Sequence, residues 1–544
     1  MEKSSARRDN ILFSTRRLSR DAEVQGTGAV LEKEDSLDEP TLPTIVKTME
    51  NEQKSKDLQD FLAVLQKKTR GVVIFGDSEK RGFYWIKSFT GIGFSGTIIP
   101  INPNLVSAAG IPCYPNLDAV PENFPVDFAI IAVSKKHVID CLKQCIKHKV
   151  KVATIFTSGY SEDDPVRGKR EEQEILDTLH EGYVQTGHRL RVLGPNCMGV
   201  YYPRNQLAFR SDMTSDPGTV GVISQSGGLA INIILKGKLT GVKFSKVVSI
   251  GNSIDLKPAE IMQLMAMDDD TEIIGCYFES LGRTMEEGRY LFEVIKQAVA
   301  KKPVIIWRGG RSERGSIAAS SHTGALKTNN QMWDAFVKQS GVLPVTSFEE
   351  FMDTLECFQF LSNKFPGNRI GLISISGGSA VTATDEIMDA GLEIPQLAKE
   401  NQQAILGLAV AEVGISTKNP VDLGNSYFGF TIIEKTVDII LNDPNIDILL
   451  FEISTHYIYN ATILSMKEFP DLYFESVIKS IKRSRRSAKK PVFVIMPEIS
   501  YEAETINNRQ VFLKNNIPVF PNVRRAVAAL KNMARYAKMM EKMQ

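Results

Sequence analysis

GTVGVISQSGG (218–228) and NRIGLISISGG (368–378) are written on one pattern: an apolar run, a Ser-Gly-Gly turn, then a helix-forming stretch. A short run of β-branched residues bounded by Gly reads as a buried strand. Ser and Gly at the start of a helix leave its first backbone N–H groups free for an anion, and Ser can cap the same groups. Each turn taken alone reads as ordinary capping, which is common, ahead of a phosphate cradle.

The same texture extends in both directions. Upstream are GVVIFG (71–76), GTIIPIN (96–102), DFAIIAV (127–133), VKVATIFTSG (150–159) and LRVLGPN (190–196). SKVVSIGN (245–252), TEIIGCYFES (271–280) and KPVIIWRGGR (302–311) follow the first turn. DILLFEIS (447–454), KPVFVIMP (490–497) and IPVFPN (517–522) follow the second. Helical patterns fill 329–340, 348–361 and 523–542, the last basic and amphipathic. Strands alternating with helices give parallel sheets covered on both faces, an α/β architecture. Three such series predict domains at 65–210, 211–350 and 365–540. Residues 1–64 are polar and of mixed charge, and read as a flexible extension with a helix near 47–67.

The chain has 544 residues, 43% of them hydrophobic, enough for several cores. Its 65 Lys+Arg balance 64 Asp+Glu, so charge offers no support for a nucleic-acid partner or an acidic membrane surface. No apolar run reaches the length of about 18 residues that a membrane helix needs. The N-terminal stretch lacks the apolar core of a secretory signal, and Glu2, Asp9 and Asp21 count against an organelle transit peptide. Six cysteines, without a CxxC pair or zinc spacing, read as buried reduced thiols in a cytoplasmic protein with no metal site.

The turn after the first strand, GDSEKRG (76–82), is not a GxGxxG fingerprint, and no GxxxxGK[ST] loop occurs. A Gly-rich turn there can still hold a phosphorylated ligand at a switch point. Lys80 and Arg81 would supply charge, or form a solvated pair.

Of six histidines, His137, His148, His180 and His188 lie in polar helical or turn contexts, and His456 follows a strand. His322 has a different setting, a loop of small residues in GGRSERGSIAASSHTGAL (309–326). A neutral imidazole nitrogen can attack phosphorus and carry the phosphoryl group, and it can equally hydrogen-bond within a turn.

Read together, GFSGTIIPINPN (93–104), GYSE (159–162), GPNCMG (194–199), SQSGG (224–228), FSKVVSIGNSIDL (244–256), YFES (277–280), SSHTGAL (320–326) and NPVDL (419–423) resemble the alpha subunit of ADP-forming acetyl-CoA synthetase, a relative of succinyl-CoA synthetase. The resemblance covers about residues 65–540. It implies a Rossmann-like CoA-binding domain followed by two flavodoxin-like CoA-ligase domains. It implies the reaction acyl-CoA + ADP + phosphate ⇌ carboxylic acid + ATP + CoA through a phosphohistidine. His322 matches the phosphorylated residue and Glu279 the acid that holds its ring. Ser226 and Gly227 match the helix start receiving the phosphoryl group, and Ser376 and Gly377 repeat that turn. Gly76, Ser78, Lys80, Asn102, Ser134 and Asn196 are the expected CoA contacts.

Three features depart from the family pattern: Asp77 stands where a small residue is usual, the Pro usual before the basic residue of that turn is missing, and Lys327-Thr328 stands where Ala-Gly is usual. An acid beside CoA phosphates is unfavourable unless it points away. The chain shows no ATP-grasp region. ADP/ATP and Mg2+ are therefore expected through a separate ATP-grasp beta subunit in a hetero-oligomer. The competing readings are a CoA-sensing module without a phosphoryl relay and a Rossmann-type oxidoreductase.

Overall fold

A computed structural model describes residues 68–323, 330–408, 414–460 and 467–543. The expected extension at 1–64 and its helix near 47–67 lie outside these residues.

Three sheets carry the chain, and each keeps the strand order 2-1-3-4-5. In the first, Gly71–Phe75 lies between Thr97–Ile101 and Phe128–Ile131, and Val152–Ile155 and Arg191–Leu193 follow, all parallel. In the second, Val220–Ser224 lies between Phe244–Ser249 and Ile273–Phe278, with Val304–Arg308 and Leu343–Val345 beyond. In the third, Ile370–Ser374 lies between Val421–Asp422 and Ile448–Glu452, with Val492–Ile495 and Val519–Phe520 beyond. In this order the connections leave the first strand in opposite directions, which opens a crevice at the carboxyl ends of the strands.

Strands this apolar must be covered on both faces. Gly71–Phe75, Val220–Ser224, Ile370–Ser374 and Ile448–Glu452 are buried along their whole length. Helices appear where the pattern placed them: Asn330–Ser340, Phe348–Phe360 and Val523–Met543. The short strands Gly199–Tyr201, Leu343–Val345 and Val421–Asp422 carry too few residues to show a period and were not read from sequence.

Two features tie the sheets together. Gly199–Tyr201, which directly follows the last strand region of the first series, pairs antiparallel with Phe244–Ser249 of the second. The terminal helix Val523–Met543 packs on Phe348–Phe360, with Phe358 edge-on to Tyr536 at 5.6 Å. All six cysteines are buried and free, as their contexts implied. No helix among the described residues is long and apolar enough to cross a membrane.

Candidate active site

The two Ser-Gly-Gly turns fold alike. Ser226 is extended, and its Oγ accepts the Leu229 N–H at 3.3 Å at the head of helix Gly227–Thr240. Ser376 does the same for Ser379 at 3.3 Å at the head of Gly377–Asp389. The strand-end serines differ: Ser224 Oγ donates to the Ser226 carbonyl at 2.7 Å, whereas Ser374 Oγ donates to Glu452 Oε2 at 2.7 Å and lies 3.1 Å from the Ser376 carbonyl. Both helices therefore open with glycine N–H groups and a positive dipole end at the carboxyl edge of a sheet.

Around the first of these turns lies a cavity of about 330 Å³, lined by Phe156, Asn196–Met198, Gln225–Gly228, Gly251, Asn252 and Glu279. Its walls come from two sheets. The segment 194–198 leaves the first sheet, and it is pinned to the 250–254 turn of the second. The Asn252 N–H reaches the Pro195 carbonyl at 3.0 Å, and the Ile254 N–H reaches that of Gly194 at 3.1 Å. Met198 N–H is held by Ser249 Oγ at 3.1 Å.

Glu279 follows strand Ile273–Phe278. Tyr277 Oη donates to its Oε1 at 3.1 Å. Burial, and then the neighbouring Glu279 charge, push the Tyr277 phenol upward, so it stays a donor. The Glu279 N–H is held by Gln225 Oε1 at 2.5 Å. Gly309, just past the adjacent strand, lies over this pair: a Cβ there would meet Tyr277 Oη at 2.5 Å and Glu279 Cγ at 3.2 Å. The chain that leads to His322 thus starts in contact with Glu279.

The stretch around His322 differs from the expected loop. Its backbone is helical over Glu313–Thr323, started by Ser312, whose Oγ accepts the Gly315 N–H at 3.0 Å. Small residues that leave room for a ligand also carry little steric cost in a helix. The His322 side chain and Lys327-Thr328 lie outside the described residues.

The structure brings Asn196, Ser226, Gly227 and Glu279 to one cavity. Gly76, Ser78, Lys80, Asn102 and Ser134 share a different place, the carboxyl edge of the first sheet. Asn102 Nδ2 donates to the Asp77 carbonyl at 3.1 Å, Lys80 lies on the exposed turn Glu79–Arg81, and Ser134 precedes the turn Lys135–His137. Ser376 and Gly377 sit at the third sheet and line no part of the cavity.

Residues 70–203 match the CoA binding domain model, and residues 217–358 match the succinyl-CoA ligase like flavodoxin domain model. The chain is 31% identical over 480 residues, 86% of its own length and 96% of the relative's, to the alpha subunit of the ADP-forming acetate–CoA ligase II of Pyrococcus furiosus. It belongs to the ADP-forming acetate–CoA ligase family. The corresponding ligase II of Archaeoglobus fulgidus is 28% identical over 86% of this chain, which spans 66% of that longer relative. Among solved structures, an acetyl-coenzyme A synthetase of Ca. Korarchaeum cryptofilum in complex with phosphate and ADP superposes with a TM-score of 0.72. It is 26% identical, over 89% of this chain and 98% of its own.

In this ADP-forming ligase family member, the sequence reading passed over several residues that build the cavity. Gln225 spans it: Oε1 accepts from Glu279 and Ser280 N–H (2.5 and 3.2 Å), and Nε2 donates to Ser280 Oγ at 3.4 Å. Its place inside SQSGG was the available sign. Cys197 lines the cavity without reactivity, because burial pushes its thiol up to about 12. Asn252 shows its role only in three dimensions, through bonds to Glu162 at 2.6 Å and Glu172 at 2.9 Å.

Proposed function

We propose that this chain is the CoA-binding, phosphohistidine-carrying alpha subunit of an ADP-forming acyl-CoA synthetase, an acid–thiol ligase acting with an ATP-grasp beta subunit. The observation that carries this reading is one cavity lined by both the Ser226–Gly227 helix start and Glu279, with Gly309, at the head of the segment that leads to His322, packed against Glu279. Family membership over nearly the whole length of an alpha subunit supports the division of labour.

Each residue then has a chemical task. Phosphate displaces CoA from the thioester, giving an acyl phosphate and the free thiol. The unprotonated ring nitrogen of His322 attacks phosphorus, the P–O bond to the acyl group breaks, and the carboxylate leaves. The phosphoryl group passes to ADP on the partner, which would also hold Mg2+. Glu279 accepts the ring's N–H and so sets which nitrogen attacks. The helix start offers N–H donors and a dipole to the phosphoryl oxygens. Ser376 and Gly377 form a second cradle of the same build for the moving group. Gly76, Ser78, Lys80, Asn102 and Ser134 line the CoA path toward Asn196. Buried free thiols are compatible with a reducing cytoplasm.

The test is labelling of the chain from ATP plus an ATP-grasp subunit, followed by thioester formation across several small acids. Acid-labile, base-stable phosphate is expected on wild type and absent from His322→Ala. Glu279→Gln should lose about 10- to 100-fold, as groups that orient a neighbour do. Acid-labile labelling of His322→Ala would refute the assignment. Thioester synthesis from ATP by the isolated chain would refute the need for a partner.

A further inference from the structure

At the carboxyl edge of the first sheet, strand Gly71–Phe75 turns at Gly76 and feeds helix Tyr84–Ile92. In a doubly wound fold the start of this helix is where a ligand phosphate is received, because its first N–H groups have no partner within the helix. In this chain they already have one. Asp77 is only 2% exposed. Its Oδ2 accepts the Ile86 N–H at 2.9 Å and its Oδ1 the Ser78 N–H at 3.1 Å, and the Trp85 N–H joins them. Burial pushes this carboxyl upward, while these N–H groups and Arg81 draw it back.

The carboxylate is fixed in place by its surroundings. Gly76 has φ +82, and a Cβ on it would lie 2.7 Å from Val133 Cγ1 and 2.8 Å from the Ala132 carbonyl oxygen. On the other side, Gly76 N–H bonds the Ile101 carbonyl at 3.0 Å and Asn102 holds the Asp77 carbonyl at 3.1 Å. Arg81 turns across to the Ala132 carbonyl at 3.0 Å, while Lys80 stays exposed on the rim. Asp77 does point away from solvent, but toward the groups an incoming phosphate would use.

We propose that Asp77 is a built-in anion that occupies the helix start of the CoA domain and weakens the hold on the CoA pyrophosphate, transferring that recognition from backbone N–H groups to the cationic rim at Lys80. This rests on the reading that CoA binds the first domain. Two negative groups cannot share one helix start without a cost in affinity. Asn or Ser caps the same groups without charge.

The experiment is calorimetric titration of CoA into the full chain, as wild type, Asp77→Asn, Asp77→Ser and Lys80→Ala. At about 50 mM salt the two Asp77 variants should bind CoA about 3- to 10-fold more tightly, and the gain should shrink near 500 mM as charge is screened. Lys80→Ala should weaken binding in wild type more than in Asp77→Asn. A purely structural cap would lower the melting temperature of the variants without tightening CoA. Unchanged or weaker CoA binding by whichever Asp77 variant melts cooperatively would overturn the proposal. Failure of wild type to bind CoA at all would overturn the CoA reading beneath it.

Discussion

Gln225 has one side-chain oxygen and two backbone N–H groups that depend on it, those of Glu279 and Ser280. It also reads back to the same strand through its own N–H, which bonds the Tyr277 carbonyl at 3.2 Å. A single amide thereby fixes the backbone at Glu279 and Ser280 relative to the Ser226 helix start. Leucine fills the same volume and offers no acceptor. Gln225→Leu should cost about 1–3 kcal/mol in denaturant unfolding, because buried donors lose their partner. It should also slow phosphoryl uptake. An unchanged unfolding midpoint would show that Gln225 is not needed to hold the strand end. At this scale the candidate site was half legible. Ser226, Gly227, Glu279 and Asn196 stood out by their motifs, while Gln225 and Asn252 act through bonds to residues far away in the chain.

At the scale of elements, helix Phe348–Phe360 carries a buried acid face against the terminal helix Val523–Met543. Arg525 takes both Asp353 oxygens at 2.6 Å, and Asn532 reaches Thr354 Oγ1 at 3.0 Å. Glu356 is 1% exposed, and its Oε1 has no hydrogen-bond partner among the described residues. Burial, and then the Asp353 charge, hold its carboxyl well above the usual range, against weaker pulls from a backbone N–H, Arg525 and Lys236. The sign follows from linkage: a raised acid binds its proton more tightly when folded. Its stabilisation is complete below the unfolded glutamate value of about 4.3 and is lost as pH rises toward the folded value. Glu356→Gln should therefore unfold with a shallower loss of stability at rising pH, by up to about 1.4 kcal/mol per unit. Parallel pH profiles of wild type and variant would show that Glu356 is ionised in the fold.

At the scale of the whole molecule, the first and second sheets are joined by a polar clamp behind the cavity. Glu172, 2% exposed, accepts from Ser161 Oγ at 2.6 Å, Asn252 Nδ2 at 2.9 Å and Arg283 Nη2 at 2.5 Å. Glu162 takes Asn252 at 2.6 Å and the Gly159 N–H at 2.6 Å. The GYSE motif thus acts as a bracket between sheets. Glu172→Ala leaves Arg283 without its carboxylate partner and Asn252 with Glu162 alone, and should cost about 2–3 kcal/mol, the low side of breaking a buried ion pair because Arg283 keeps some contact with water. Thermal unfolding that loses cooperativity, with the first domain melting ahead of the rest, is the expected trace. A single transition at the wild-type temperature would show that the bracket carries no load.

The sequence by itself determined the longer strands, the helices at 329–340, 348–361 and 523–542, the two Ser-Gly-Gly turns and the burial of the cysteines. These are local properties: a short run of β-branched residues between glycines favours a covered strand, and a serine before glycine at its end favours a helix start. Tertiary structure decided what those elements meet. It turned the small-residue stretch before His322 into a helix, joined Gly199–Tyr201 to the second sheet, and brought 194–198 against 250–254 to close the cavity. It also aimed Asp77 inward, at the N–H groups of Trp85 and Ile86 rather than at solvent. Such choices rest on which other element a segment meets, and on whether a buried polar group finds a partner, which no local pattern encodes.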